Sequence, residues 1–262
     1  MFIKKLDFQK VSELIMQVSE EIILPRHKKL TSIDISEKKH GELVTIADTE
    51  TEQWLSTELK NILPNSVFIG EEDTYVNPES FKVLEEDNPV WIIDPIDGTN
   101  NFASGSNIFA VIVALVYKRE VVAGWIYEPL NKTLAQTELG SGVFIGTQRI
   151  SFDMHVQSKN FTGVAPQKLF DKANNNKFHI KKVYKPNCAG HEYIQLLLGE
   201  RHFTAYTRLR AWDHAAGVLM INEAGGCSAL LDGRDYQVTI SIGNLLSTCN
   251  KESWDIVQSI LV

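Results

Sequence analysis

Four apolar residues, Val90-Trp91-Ile92-Ile93, run directly into Asp94-Pro95-Ile96-Asp97, with Gly98 immediately after. The same pattern occurs earlier, where Val67-Phe68-Ile69 stops at Gly70-Glu71-Glu72. Short apolar runs of this kind read as β-strands that end at the acids. This constrains the chain more than any other feature. The strands need cover on their faces, and clustered carboxylates at their ends repel one another unless cations neutralise them.

The flanking sequence supplies the cover. Phe8, Val11, Ile15, Val18 and Ile22 recur at helical spacing up to Pro25, and the polar stretch from Lys28 to Glu42 reads as a loop. Thr49 and Glu52 suggest a capping box before Leu55, Leu59 and Ile62, with Pro64 as the stop. Phe109 to Tyr117 and Val121 to Tyr127 are two longer strands joined by the charged turn Lys118-Arg119-Glu120, and Thr133 to Thr137 is a third. Gly140, Gly142 and Gly146 punctuate the next segment, and Asp153 to Asn176 carries little pattern beyond a surface turn at Asn174-Asn175-Asn176. Helices are predicted over His191 to Leu198, Asp213 to Ala224 and Glu252 to Leu261. Helices and strands interleave without strict βαβ alternation, which predicts an α+β architecture of layered sheets and helices.

Bulk properties narrow the function classes. At 262 residues the chain is one domain, 1–262, with possible lobes 1–150 and 151–262. A net charge of −7 offers no basic field for a nucleic-acid backbone, so no direct nucleic-acid binding is expected. The three cysteines, Cys188, Cys227 and Cys249, are too sparse for a disulfide framework and form no CxxC metal pair. The longest apolar run, Ile108 to Tyr117, is too short to span a bilayer, and Met1 to Leu6 leads into polar sequence without a signal-peptide core. A cytoplasmic protein with no membrane partner is the expectation.

The acids carry the chemistry. Glu71 and Glu72 follow one strand, Asp94 and Asp97 the next, and Asp213 opens a helix. Side chains at adjacent strand ends can converge, and an all-oxygen set selects hard cations such as Mg²⁺. Pro95 fixes the chain so that Asp94 and Asp97 flank a turn with the Ile96 carbonyl between them. Gly98 permits close backbone approach, and Thr99 places a hydroxyl at a helix start whose free N–H groups attract phosphate. Carboxylates for metal beside amides for phosphate are the parts of metal-assisted phosphoryl hydrolysis. Singly, each motif has an ordinary explanation: a surface turn for Asp-Pro-x-Asp-Gly, a solvated pair for Glu71-Glu72, a helix cap for Asp213 or Asp48. The combination after apolar strands is far more specific.

Gly70-Glu71-Glu72, Asp94-Pro95-Ile96-Asp97-Gly98-Thr99 and Trp212-Asp213-His214-Ala215-Ala216-Gly217, with Leu43 to Asp48 upstream, resemble the motifs of the inositol monophosphatase family, including its bacterial extragenic-suppressor members. That resemblance implies an α-β-α-β-α sandwich shared with fructose bisphosphatases, a homodimer, and lithium-sensitive, Mg²⁺-dependent hydrolysis of a small phosphate ester with two to three ions per site. It assigns Glu71, Asp94 and the Ile96 carbonyl to one ion, and Asp94, Asp97 and Asp213 to a second. A third ion would sit near Glu71. Glu71 and Thr99, with Asp48 behind Thr99, would position and deprotonate the attacking water. Asp97, Gly98, Thr99, Ala189 and Arg208 would contact substrate.

The departures bear on the substrate. Where inositol-specific members carry a Glu seven residues before the Trp-Asp aspartate, this chain has Tyr206, followed by Arg208 and Arg210. The expectation is weak preference for uncharged inositol and broad specificity, with a second anionic group favoured if either arginine faces the pocket. His191 reads as a structural or rim residue, and Lys38 or Lys39 is the candidate for a lysine aimed at the metals. The alternative readings are a fructose-1,6-bisphosphatase, a histidinol-phosphate phosphatase, a bisphosphate nucleotidase, a Ca²⁺-stabilised structural protein, or a regulatory protein that contacts the transcription machinery.

Overall fold

A computed structural model describes residues 6–152, 160–171 and 179–262; Met1 to Lys5 and the expected turn at Asn174-Asn175-Asn176 lie outside the described residues. Helix α1 (Phe8–Val18) is capped by Asp7, which accepts the Lys10 N–H, and continues through a π turn (Ser19–Ile23) and a 3-10 turn (Leu24–Arg26). The stretch expected as a loop contains a two-stranded hairpin, β1 (Ile35–Lys39) and β2 (Glu42–Thr45). Its first strand, Ile-Ser-Glu-Lys-Lys, lacks apolar alternation, so nothing but the left-handed Gly41 (φ 81°) at the turn marked it. Helix α2 (Ile46–Ile62) does start with a capping box, but at Thr45 and Asp48 rather than Thr49 and Glu52. Thr45 is the last extended residue, which frees its hydroxyl to reach the Asp48 N–H.

The next element is a seven-stranded sheet. Its strands are β3 (Val67–Gly70), β4 (Val90–Asp97), β5 (Ala110–Tyr117), β6 (Glu120–Glu128), β7 (Thr133–Glu138), β8 (Gly142–Ile145) and β9 (Gln148–Ile150), lying side by side in chain order. Only β3 and β4 are parallel. Short helices α3 (Glu71–Val76) and α4 (Thr99–Ala103) start where β3 and β4 end. The glycine-punctuated stretch thus adds two strands that were not predicted, β8 and the edge strand β9. The second half holds β10 (Asn160–Val164), α5 (Gln167–Phe170), β11 (His179–Lys182), α6 (Ala189–Leu197), β12 (Phe203–Tyr206), α7 (Ala211–Glu223), β13 (Cys227–Leu230), β14 (Leu245–Thr248) and α8 (Lys251–Leu261). Its five strands order as β11-β10-β12-β14-β13.

Strand periodicity explains the layers. Trp91, Ile93, Val111, Val113, Leu115 and Trp125 point to one face of the large sheet and pack with α1 and α2. Ile92, Ile112, Ala114, Val116 and Ile126 point to the other and pack with α6 and α7. Both faces are covered, which is why these strands read as continuous apolar runs. The small sheet lies beyond α6 and α7, and α5 and α8 cover its far face through Phe161, Phe203, Leu246, Leu169 and Trp254. The order is helix, sheet, helix, sheet, helix. It is the expected layered sandwich.

Candidate active site

Side chains alternate along a strand, so Asp94 and Asp97, three residues apart, should face opposite sides of the sheet. They do not, because β4 carries a bulge. Asp94 pairs with Ile112 and Asp97 with Ala110, so β4 spends three steps where β5 spends two. Pro95, which cannot donate to the ladder, sits in the irregularity. The bulge returns Asp97 to the α6–α7 face shared by Ala110 and Ile112, while Ile93 and Ile96 both pack toward α2. The strand therefore runs on through the residues expected to form a free turn. Gly98 (φ 87°) then adopts the left-handed conformation that starts α4.

The first turn of α7, capped at Arg210, brings Asp213 to the same point. Carboxylate oxygens of Glu71, Asp94 and Asp213 lie within 4.8 Å of one another. Glu71 is placed by a residue that sequence reading assigned elsewhere. Glu52, on α2, accepts the backbone N–H groups of Glu72 (2.9 Å) and Asp73 (2.8 Å), and so holds the start of α3. A Cβ on Gly70 would come within 2.0 Å of the Glu52 carboxylate, so this glycine is required by close approach. Lys38, from β1, is the lysine aimed at the cluster: its Nζ lies 2.9 Å from Glu71 and 2.8 Å from Glu72. Arg210 approaches Glu71 at 3.3 Å and pairs with Glu42 at 2.8 Å.

Asp48 and Thr99 meet across the chain. The Thr99 hydroxyl lies 2.9 Å from Asp48 Oδ1 and 3.0 Å from the Ile96 carbonyl, so its one proton has two acceptors. The other Asp48 oxygen accepts the Thr45 N–H (2.8 Å) and the Thr45 hydroxyl. Burial pushes Asp48 up to about 7 against the pull of those donors.

The cluster is over-charged for its burial. Burial first, then Glu71, Asp97 and Asp213, push Asp94 well above the usual carboxylate range. Burial, Asp97 and Glu71 do the same to Asp213, and burial lifts Glu52 to about 7. Burial opposes the charge of Lys38, but Glu71 and Glu72 outweigh it and hold the ammonium protonated. Asp94 Oδ1 is buried and has no hydrogen-bond partner. A buried carboxylate with an unpartnered oxygen, set beside two more carboxylates, fits a bound hard cation, because leaving it bare costs free energy.

Asp97 is held by other means. Its Oδ2 accepts the Gly190 N–H at 2.7 Å and the Cys188 thiol at 3.1 Å, both from the start of α6. Burial lifts it to about 6 against those donors. A cavity of about 420 Å³ opens beside it, lined by Asp97, Asp213, Ala189, Glu192, Tyr206 and Arg208 among others.

The model of the inositol monophosphatase family matches residues 5–257. The chain belongs to the inositol monophosphatase family. An inositol-1-monophosphatase from Caulobacter vibrioides is 31% identical over 231 residues, covering 80% of this chain and 84% of that protein. A fructose-1,6-bisphosphatase/inositol-1-monophosphatase from Thermotoga maritima is 29% identical over 212 residues, 78% of each chain. Among solved structures, the inositol monophosphatase of Thermotoga maritima matches with a TM-score of 0.78 at 24% identity, covering 97% of this chain and 95% of that one.

Within this inositol monophosphatase fold, the remaining predicted residues separate. Ala189 lines the cavity. Arg208 lines it too, but its side chain is 76% exposed and paired with Glu42 at 2.8 Å. Arg210 lies across Glu71, in a separate cavity with Lys38, Lys39 and Trp212. His191 pairs with Glu128 and lines a different cavity, with Ile108 and Arg201, so it is a structural residue away from the carboxylates. His214 is fully buried between the Tyr193 hydroxyl and the Arg208 carbonyl, and burial depresses it to about 4, which keeps it neutral. Glu52 and Glu192 were missed as site residues. In the sequence Glu52 reads as half of a capping box, and Glu192 only as part of a helix.

Proposed function

We propose that this chain hydrolyses phosphate monoesters of small polyols with Mg²⁺ held by Glu71, Asp94 and Asp213, joined by Asp97 and the Ile96 carbonyl. The observation that carries the reading is the buried Asp94 carboxylate, one oxygen of which has no hydrogen-bond partner, set within 4.8 Å of those of Glu71 and Asp213. Bound cations of this kind neutralise charge on the phosphoryl oxygens and make water a stronger acid. The chain's own groups do the rest. Gly98 and Thr99 turn their backbone N–H groups toward the phosphoryl oxygens and orient them. Thr99 Oγ accepts a proton from the attacking water while its own passes to Asp48 Oδ1, which lies in hydrogen-bond reach. Lys38 and Arg210 offset the negative charge of Glu71 and fix its carboxylate. The names of relatives such as the Caulobacter vibrioides protein support phosphoester hydrolysis over a purely structural or regulatory role.

The test is turnover of p-nitrophenyl phosphate and inositol 1-phosphate after chelation, with Mg²⁺ restored stepwise and LiCl compared with KCl. The reading expects no turnover without the divalent ion, recovery with it, and inhibition by Li⁺ alone, since a small hard monovalent ion fills the oxygen site without the divalent charge. Turnover that survives chelation contradicts it.

A further inference from the structure

Tyr206 takes the position where a substrate-binding glutamate was expected, and the structure shows a carboxylate beside it. Glu192, on the first turn of α6, is 1% exposed and lines the 420 Å³ cavity together with Tyr206, Asp97 and Asp213. Its Oε2 accepts the Thr204 hydroxyl at 3.1 Å. Thr204 and Tyr206 lie two apart on β12 and share a face, so the strand that anchors Glu192 also carries the tyrosine. Glu192 Oε1 is buried with no hydrogen-bond partner; the Tyr206 hydroxyl makes no well-formed hydrogen bond either, although it lies close enough to the Glu192 carboxylate for the two to interact. Lys185, also on the cavity wall, and Arg201 bring positive potential to Glu192.

Buried polar atoms are almost always paired, so two orphans on one cavity wall point to a ligand that pairs them. A substrate hydroxyl has the matching valence: it donates to a carboxylate oxygen and accepts from a phenol. A phosphate ester held at the carboxylate cluster extends its alcohol portion into this cavity, because Asp97 and Asp213 form its other wall.

We propose that Glu192 Oε1 and the Tyr206 hydroxyl together bind a hydroxyl of a polyol phosphate, so that α6 supplies the carboxylate that β12 lacks at Tyr206. The assignment rests on the phosphomonoesterase reading above, and it replaces the expectation of broad specificity drawn from the sequence. A site built to pair a hydroxyl discriminates against esters that lack one, since its polar atoms are then left unmatched.

The experiment measures kcat/KM for inositol 1-phosphate and for p-nitrophenyl phosphate, and takes their ratio, in wild type, Glu192→Gln and Tyr206→Phe. The ratio is independent of the folded fraction. Glu192→Gln is expected to lower it by about tenfold or more, and Tyr206→Phe by about fivefold. A ratio within about twofold of wild type in Glu192→Gln overturns the assignment. Should that variant fail to fold, the same threshold applied to Tyr206→Phe decides. Wild-type protein inactive on both esters contradicts the phosphatase reading itself; active protein with an unmoved ratio overturns only the hydroxyl-binding pair.

Discussion

At the ends of β3 and β4, Glu71, Asp94 and Asp213 crowd within 4.8 Å, and Lys38 and Arg210 offset part of their charge. On the α6–β12 wall of the neighbouring cavity, a single buried carboxylate, Glu192, stands with a tyrosine hydroxyl, and each has an orphaned oxygen. The first region has more negative charge than the protein itself neutralises, which is the condition of a cation site. The second has balanced charge and unmet hydrogen bonds, which is the condition of a site for a neutral polar group. On the functions proposed above, one region would supply reactivity and the other would select what reaches it.

Three substitutions test that contrast, in falling order of effect. Asp94→Asn removes a carboxylate from the centre of the cluster and should lower kcat by about a thousandfold at saturating Mg²⁺. It should also raise the thermal stability of the metal-free protein at neutral pH, because a repelled, desolvated charge is gone; a fall in both would mean that the substitution acts through folding. Thr99→Ala takes the hydroxyl away from Asp48 and should cost about a hundredfold in kcat, while stabilisation by Mg²⁺ persists. Loss of the Mg²⁺ response in Thr99→Ala would place the threonine in metal binding instead. Arg208→Ala, at an exposed side chain already paired with Glu42, should change kcat/KM for a singly phosphorylated polyol by less than about threefold. A larger loss would put Arg208 in contact with substrate.

The two regions were also unequally legible in the sequence. The cluster was visible because its residues follow apolar strands directly: Glu71 after Val67–Gly70 and Asp94 within Val90–Asp97. Local order places Glu71 and Asp94 on the adjacent strands β3 and β4, while Asp213 joins them through the packing of α7. The bulge was not visible. Pro95 signals a break, but only the pairing of Asp97 with Ala110 shows that the strand resumes with its face restored. Glu52 was misread because a carboxylate at helical spacing looks like a partner within its own helix, whereas its actual partners are the backbone N–H groups of Glu72 and Asp73. Glu192 escaped for the same reason: its neighbours Thr204 and Tyr206 arrive by packing of α6 on β12, which no local pattern encodes. The hairpin β1–β2, polar in its first strand after Ile35, was read as loop, yet it delivers Lys38 to Glu71.

The claim that the cluster is a hard-cation site is tested most directly by thermal unfolding of chelated protein with and without Mg²⁺, at pH 5 and pH 8, in wild type and Asp94→Asn. Burial holds Asp48 and Glu52 near 7 and Asp97 near 6, above their unfolded values. The folded state therefore binds more protons than the unfolded one between about pH 4 and pH 7, and metal-free stability falls as pH rises through that window. Mg²⁺ should reverse the loss, raising Tm by about 5 °C or more at pH 8 and by less than half of that at pH 5, with most of the gain absent in Asp94→Asn. A wild-type Tm that ignores Mg²⁺ at pH 8, or an equal gain in Asp94→Asn, would contradict the account.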